Sequence, residues 1–335
     1  MNETNHTNRN LQKIKQVIDE GHQPLYKLFN NERVSKILSD TTLVNTPYRG
    51  QLSQRSLQIP FVDRGQDLAL IFGLDHKAFG RKYIEAISGD GQEGKRIRTL
   101  HSSSLLCLLC FYGVSKERPL VLVLDGEEVT FTESCFEVKN PVGVDMSGHQ
   151  HNSNIDVMLV GANSTTGRRV ILFLESKFSE YLAWSAYSGI SKFIYGDIYA
   201  QLSKGKYLDR MGLKYKDTPG APGYFDLMSK NGNTLHYAGG IKQMISHYLG
   251  LKNVADSSKS ADYDIYLGEI LFRFDNSIDP EGIKLKDYTG LYEILAEGLN
   301  NISDSKLKVI NKCFTYQDVF RNYPLDNAVR AFYSL

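Results

Sequence analysis

The sequence predicts an α/β protein in which a β-sheet is flanked by helices, and two kinds of pattern support this prediction. Short runs of apolar, β-branched residues bounded by turn residues follow one another between positions 120 and 174, which is typical of paired strands. Apolar residues at helical spacing precede and follow these runs. With 335 residues, the chain is long enough for one elaborated domain or two small ones.

The first 65 residues are predicted to form a helical N-terminal extension and a linker. Residues 1–10 are polar and are predicted to be disordered, whereas Leu11–Leu38 carries spaced apolar residues among charges, as one or two helices would. Residues 40–65 contain Pro47, Gly50 and Pro60 with little periodicity, which indicates a loop. The main domain is therefore expected to span residues 66–335.

This domain is expected to begin with two helices separated by a glycine-rich loop. Gln66–Ile87 has apolar residues at helical spacing. Ser88–Arg96 is rich in glycine, but it lacks the pattern of a phosphate-binding loop and does not follow a strand. Ser102–Ser104 precede the apolar run Leu105–Tyr112, and one of these hydroxyls is expected to cap the second helix.

The cysteines and the apolar stretches bear on metal binding and on the cellular compartment. Cys107 and Cys110 have CxxC spacing, but they lie in an apolar run that predicts a buried helix, and no second pair completes a zinc site.

Four cysteines in a chain of this length suit a reducing compartment. The polar N-terminus lacks a signal-peptide core, and no apolar stretch reaches the roughly 20 residues of a membrane span. We therefore expect a cytoplasmic protein without a membrane partner.

Two strands are predicted before the centre of the chain. Leu120–Leu124 and Val129–Val138 flank Asp125-Gly126, a dipeptide that favours a tight hairpin turn. Asn140–Asn154 is predicted to be a loop, and its two histidines lack a third metal ligand nearby.

A second hairpin is predicted from Ile155–Val160 and Val170–Leu174, which flank a loop rich in Asn, Ser, Thr and Gly. If Ser164–Gly167 form a four-residue turn, Asn163 lies opposite Arg168, and Gly161 lies opposite Val170.

This register has a consequence for three charged residues. It places Asp156 opposite Glu175, so that both carboxylates share one face of the sheet, and Lys177 joins them two residues further along. A slip of one residue would send one carboxylate to the other face. Two carboxylates that face each other in an apolar sheet repel, and burying either is costly unless positive charge compensates. Lys177 supplies one positive charge, and a divalent cation held by carboxylate oxygens would supply the rest.

The spacing of these residues resembles a known family. The tripeptide (Asp or Glu)-x-Lys occurs five times in the chain, but only Glu175-Ser-Lys177 ends a long apolar run and has an aspartate on a predicted partner strand. An aspartate on one strand and (Asp or Glu)-x-Lys on the next resemble the PD-(D/E)xK nuclease superfamily. The alternative is an ion pair at a strand end, with Asp156 capping its own strand.

The resemblance implies a restriction-endonuclease-like mixed β-sheet core of order αβββαβ, flanked by helices. It implies that Asp156 and Glu175 hold one or two Mg²⁺ ions, with Mn²⁺ as an alternative, and that Lys177 orients or deprotonates a water molecule. Members of this superfamily often add a third carboxylate from a preceding element. Glu137 is the better candidate for that role and Glu93 the weaker one, unless both simply face solvent.

The rest of the chain is predicted to alternate between helices, a loop and strands. The predicted elements are a mostly helical segment at Glu180–Met211, a long loop at 212–234, a helix at Gly240–Leu249, a strand at Asp262–Phe274, a helix at Leu291–Leu299, a strand at Leu307–Phe314 and a final helix at Tyr316–Phe332.

The helix predicted at Gly240–Leu249 carries a further candidate residue. Gln243 lies opposite the apolar stripe of this helix, with His247 one turn later. The pattern from Gln243 to Tyr248 is similar to a Gln-x-x-x-Tyr signature of some nucleases of the superfamily, with one extra residue. Gln243 is therefore a candidate for orienting the substrate or metal-bound water.

The function that the resemblance implies is Mg²⁺-dependent hydrolysis of DNA, with endonucleolytic cleavage of double-stranded DNA favoured and a 5′-phosphate left on the product. A restriction or defence role rests on analogy of fold alone, and a homodimer is compatible with the resemblance. The alternative is a catalytically inactive protein that binds nucleic acid with the same fold. A net charge of +1 means that any DNA contact must come from local basic clusters, such as Lys95 to Arg98 and Lys204 to Lys216.

Overall fold

The computed structural model of the chain describes residues 44–48, 51–58, 69, 72–88, 97, 102–144, 147–182, 190–191, 207–210, 212–217, 224–229, 240–255, 262–276, 278–302 and 306–335. The predictions for residues 1–38, for the glycine-rich loop and for Glu93 lie outside the described residues.

The described elements alternate between strands and helices. The first part of the chain contains β1 (Val44–Tyr48), β2 (Gln51–Gln58), α1 (His76–Ile87), α2 (Ser103–Phe111), β3 (Leu120–Leu124), β4 (Glu127–Val144), β5 (Gln150–Asn163) and β6 (Arg169–Lys177). The second part contains β7 (Ile190–Ser191), α3 (Tyr207–Arg210), β8 (Leu213–Asp217), β9 (Tyr224–Ser229), α4 (Gly240–Ala255), β10 (Tyr263–Leu271), α5 (Ile283–Asn300), β11 (Leu307–Val309), β12 (Phe314–Thr315), α6 (Tyr316–Val319) and α7 (Asn327–Tyr333).

The largest sheet is mixed and has the strand order β11-β10-β6-β5-β4-β3, with β12 also paired to β10. The strands β3, β4, β5 and β6 pair antiparallel in chain order, whereas β10 is parallel to β6, β11 and β12. Two smaller sheets are formed by β1 with β2 and by β7, β9 and β8. The chain is thus an α/β protein with an open mixed sheet, which confirms the fold class at this level.

The turn between β5 and β6 forms as predicted, because Asn163 organises it. The Asn163 side-chain oxygen accepts hydrogen bonds from the backbone N–H groups of Thr165 and Thr166, at 2.9 and 2.8 Å. Gly167 closes the turn with a φ of +69°, which glycine adopts without strain. The register that follows pairs Gly161 with Val170, which confirms the predicted alignment.

Helices cover both faces of the sheet. On one face, Ser134 of β4 and Ser176 of β6 donate hydrogen bonds to backbone oxygens of α2, at 2.9 and 3.1 Å. On the other face, α4 contacts Glu175 of β6, and α5 contacts Glu269 of β10. Because both faces are covered, β6 is almost entirely buried, which explains its nearly continuous apolar run.

The predicted cap of α2 is confirmed. The Ser102 hydroxyl accepts a hydrogen bond from the Leu105 N–H at 3.1 Å, and the helix that follows is buried on all sides. Cys107 and Cys110 are free thiols inside it, as predicted. None of the helices that the structure describes is long and apolar enough to cross a membrane.

Two predicted loops contain strands instead. The predicted loop at 140–154 is wrong, because β4 continues to Val144 and β5 begins at Gln150. The predicted loop at 212–234 is also wrong, because β8 and β9 occupy part of it and pair with each other. In both cases backbone pairing holds together segments that lack a continuous run of apolar, β-branched residues.

Three further elements differ from the predictions. Residues 40–65 include the paired strands β1 and β2, and Pro47, which pairs with Leu52, lies beside a register shift. The first predicted helix is interrupted rather than continuous: Ala69 and Phe72 are helical, Gly73 has a φ of +62°, and Asp75 caps the helix that begins at His76. The final predicted helix is divided into α6 and α7, with Pro324 between them.

The segment at Glu180–Met211 is also less helical than predicted. A 3₁₀ turn at Glu180–Leu182, the strand β7 and the short helix α3 are the elements described within it. The strand Leu307–Phe314 is present as two short strands, β11 and β12, which both pair with β10.

Candidate functional site

The candidate site lies where β5 and β6 stop pairing. Their ladder runs from Ala162 with Arg169 to Val157 with Leu174, and Asp156 and Glu175 are the next residues in line. The Ser176 N–H donates a hydrogen bond to the Asp156 carboxylate at 2.7 Å, rather than to a backbone oxygen of β5. Asp156 thus lies opposite Glu175, as the predicted register requires.

Glu175 and Lys177 form a buried ion pair on this face of β6. Each residue is only 3% exposed, and Lys177 Nζ lies 2.6 Å from Glu175 Oε1. They meet because alternate residues of a strand point to the same side of the sheet. Between them, Ser176 points to the opposite side.

Helix α4 completes the site with two side chains one helical turn apart. Gln243 Nε2 donates to Glu175 Oε1 at 2.9 Å, and Gln243 Oε1 accepts from Lys177 Nζ at 2.8 Å. His247 Nε2 lies 2.9 Å from Glu175 Oε2. Residues four apart on a helix share one face, so α4 presents both side chains to Glu175. The two oxygens of Glu175 thus contact Lys177, Gln243 and His247.

Two more carboxylates extend this site into a row across four neighbouring strands. Phe136 pairs with Val157 and Val138 pairs with Ile155, so Glu137 of β4 lies level with Asp156. Glu137 is buried and has a φ of +50°, an uncommon conformation for a residue other than glycine. On the other side, Glu269 of β10 pairs in register with Glu175. Glu269 is fully buried, and its Oε2 accepts a hydrogen bond from Tyr288 Oη at 2.8 Å.

The two central carboxylates have opposite electrostatic environments. Burial raises the pKa of Asp156 well above its usual value, and the neighbouring carboxylates of Glu175 and Glu137 raise it further. Burial would also raise the pKa of Glu175, but Lys177 and His247 outweigh it and lower this pKa to about 2. Burial alone would lower the pKa of Lys177, yet the surrounding carboxylates, above all Glu175, raise it. Asp156 is therefore the carboxylate that lacks compensating charge.

The chemistry of this row suits a hard divalent cation, although no group of His, Cys, Asp and Glu side chains in the described residues has the geometry of a formed metal site. Among the described residues, the Ser176 N–H is the hydrogen-bond donor to Asp156, and it engages only Oδ2. Asp156 Oδ1 and the remaining lone pair of Glu175 Oε2 are thus the open oxygen positions, and oxygen ligands are those that Mg²⁺ prefers.

The structure brings together four sequence-predicted site residues, namely Asp156, Glu175, Lys177 and Gln243. Glu137 lies beside them, and it is buried rather than facing solvent. On the β4–β5 connection, His149 Nδ1 lies 2.9 Å from Ser147 Oγ, and His151 lies on β5.

Two residues of the site were missed by the sequence prediction. His247 was noted only for its position, although its spacing of four residues from Gln243 on one helix was a signal. Glu269 had no local signal, because only the parallel pairing of β10 with β6 places it beside Glu175.

The predicted basic clusters lie mostly outside the described side chains. Lys214 on β8 is the described exception, and it is exposed. Comparison of the chain with known protein families, with curated proteins and with solved structures gives no match.

Proposed function

We propose that this protein is a metal-dependent nuclease that hydrolyses phosphodiester bonds in DNA. The observation that carries the proposal is the convergence of Asp156, Glu175, Lys177 and Gln243 at the open end of one hairpin. An incidental ion pair at a strand end would not require a second carboxylate with a raised pKa beside it.

The order of elements supports the same proposal. Helix α2, the antiparallel strands β4, β5 and β6, helix α4 and the parallel strand β10 occur in the αβββαβ order of the restriction-endonuclease-like fold. In this chain β3 is inserted before β4, and β7, α3, β8 and β9 are inserted before α4. In that fold, the resemblance places the metal-binding carboxylates on the hairpin that β5 and β6 form here.

Each residue has a distinct role in the proposed mechanism. Asp156 and Glu175 would hold Mg²⁺ or Mn²⁺, and a bound ion of this kind polarises a phosphate and lowers the pKa of its water. The raised pKa of Lys177 keeps its ammonium group protonated, so it acts as a hydrogen-bond donor rather than as a base. An ammonium group has three N–H donors, and Glu175 and Gln243 accept two of them. The third is available to orient water or to offset charge on the phosphate in the transition state.

Gln243 fixes the relative position of these groups. Its amide donates to Glu175 and accepts from Lys177 at the same time, so neither charged group can rotate without breaking a bond to α4. Residues that hold a site in productive geometry contribute to rate without taking part in the chemistry.

Purified protein incubated with plasmid, linear and single-stranded DNA, and with RNA, tests the proposal. We expect cleavage of DNA that requires Mg²⁺ or Mn²⁺ and stops when the cation is chelated. Asp156→Ala and Lys177→Ala should each abolish it. Asp156→Ala should leave the fold largely intact, whereas Lys177→Ala should also lower stability because it removes one partner of a buried ion pair.

Two matched variants control for the loss of charge elsewhere on the sheet. Asp264→Asn removes a carboxylate that pairs with Arg168 at 2.7 Å, at the other end of β10. Lys308→Ala removes an exposed ammonium group from β11. Both should cleave as the wild type does. Undiminished cleavage by Asp156→Ala or Lys177→Ala would contradict the proposal. DNA binding without cleavage at any cation concentration would favour an inactive nuclease fold.

A further inference from the structure

The imidazole of His247 is not explained by packing alone. The residue is 3% exposed, and it lies on α4 among buried apolar neighbours such as Met244 and Ile245. Its Nε2 contacts Glu175, but within the described part of the chain its Nδ1 is buried without a hydrogen-bond partner. A buried polar atom without a partner is costly, so an apolar side chain would serve the core at least as well.

The state of Glu175 determines which nitrogen of His247 carries a proton. Glu175 forms a buried ion pair with Lys177 at 2.6 Å, so its carboxylate is ionised and only accepts hydrogen bonds. The Nε2 of His247 must therefore be the donor to Oε2. The histidine thus holds a proton toward the site and leaves its other nitrogen unsatisfied.

The hydrogen bonds of Glu175 show what this contact achieves. Lys177 and Gln243 donate to Oε1 and use both of its lone pairs. His247 uses one lone pair of Oε2, and one remains. Because three donors on two elements hold the carboxylate, its rotation is fixed, and so is the direction of the remaining lone pair.

We infer that His247 is a positioning residue, which orients the free lone pair of Glu175 toward the cation that Asp156 also binds. This inference rests on the proposed function. The inference goes beyond the proposed function because it assigns control of cation affinity to His247. Packing of α4 alone does not explain why a histidine is at this position. Hydrogen-bond partners behind a metal ligand typically change metal affinity or activity by 10- to 100-fold.

Two substitutions separate the hydrogen bond from the space that the imidazole fills. His247→Leu fills similar space without a donor. His247→Gln carries an amide N–H at about the reach of Nε2, so it can still donate to Glu175. Binding of Mn²⁺ to the full-length chain, followed by electron paramagnetic resonance of the free ion, gives a dissociation constant that does not depend on turnover.

We expect His247→Leu to weaken Mn²⁺ binding by at least about 10-fold, and His247→Gln to stay within about threefold of the wild type. At limiting cation concentration, the cleavage rates of the wild type and the two variants should follow the same order as their affinities. At saturating cation concentration, the three rates should become equal. Met244→Leu is the matched control, because it alters a fully buried side chain of α4 at nearly constant volume. It should leave Mn²⁺ affinity unchanged.

The outcomes distinguish a failure of the role assigned to His247 from a failure of the proposed function. If the wild type binds Mn²⁺ and cleaves DNA while His247→Leu matches it, the role of His247 is wrong and the proposed function stands. The role of His247 is also wrong if Met244→Leu weakens binding as much as His247→Leu does. If the wild type neither binds the cation nor cleaves any nucleic acid, the proposed function is wrong, and the inference is overturned with it.

Discussion

The two faces of β6 bury polar groups in contrasting ways. On the α2 face, the Ser176 hydroxyl donates to the backbone oxygen of Ser103 and accepts from Tyr316 Oη at 2.7 Å. On the α4 face, Glu175, Lys177 and His247 are buried, and the exposed Gln243 hydrogen-bonds to both Glu175 and Lys177. The first set is neutral, whereas the second is built around the buried charged pair of Glu175 and Lys177.

This difference indicates which face serves the fold and which serves a ligand. A neutral hydroxyl network is complete without any further group. The charged face instead carries the carboxylates of Glu137, Asp156, Glu175 and Glu269 in one row, and Lys177 is the ammonium group among them. Such an excess of buried carboxylate is unfavourable on its own, and a cation would relieve it. The fold therefore tolerates an unfavourable cluster at the place where the proposed chemistry needs it.

The largest expected effect follows from breaking the buried ion pair. Glu175→Gln leaves Lys177 without its closest anion, and removing one partner of a buried pair typically costs about 3–5 kcal/mol. Urea unfolding should show this loss in the midpoint, with an unchanged slope.

The double variant Glu175→Gln, Lys177→Met provides the control for this prediction. Replacing a whole buried pair by uncharged groups is often close to neutral, so the second substitution should recover part of the loss. A single variant within about 0.5 kcal/mol of the wild type, the range of ordinary surface substitutions, would show that the pair is not buried in solution.

The next effect is stabilisation by the cation. Binding to the folded state alone, at about 100 times its dissociation constant, stabilises a protein by about 2.7 kcal/mol. We expect Mg²⁺ to raise the unfolding free energy of the wild type by this amount, and chelation to reverse the change. Asp156→Asn should show no such gain, whereas Ser176→Ala should retain it. An equal gain in Asp156→Asn would place the cation elsewhere.

The pH dependence of stability in chelator should isolate Asp156. Its pKa is raised in the folded state above the ordinary value of 3.8, so the folded protein retains a proton that the unfolded chain has lost. The contribution of this group is fully present below pH 3.8 and is lost as the pH rises through the folded pKa.

Asp156→Asn removes this contribution and supplies the comparison. The unfolding free energy of the wild type, measured relative to Asp156→Asn, should fall with rising pH over that window. A difference between wild type and Asp156→Asn that is independent of pH would contradict the raised pKa.

The hairpin and its register could be predicted from local sequence, because local chemistry determines them. Asn163 and Gly167 specify the turn, and two apolar runs fix which residues face each other. The site residues on the hairpin followed from that register. The strand ends near Val144 and Gln150 could not be predicted, because Pro141 and Gly143 interrupt the end of β4, β5 begins with polar residues, and backbone pairing holds the two ends together.

The contribution of the helices to the site was harder to predict. An apolar stripe predicts which side of α4 is buried, and Met244 and Tyr248 are buried as expected. It does not predict where along the sheet the helix lies, since that depends on contacts between distant parts of the chain. His247 is therefore buried against Glu175 for a reason that apolar periodicity does not detect.

The smallest expected effect is on the neutral face of β6. Ser176→Ala removes the hydrogen bonds to Ser103 and Tyr316, and a typical internal hydrogen bond contributes about 1 kcal/mol net. We expect a loss of about 1–2 kcal/mol in urea unfolding and no change in the cation concentration that gives half-maximal cleavage. Because Ser176 also donates its N–H to Asp156, the variant keeps the backbone contact to the site while it loses the hydroxyl. A shift in cation dependence would therefore mean that the two faces of β6 are coupled through the strand, and that the neutral network helps to hold Asp156 in place.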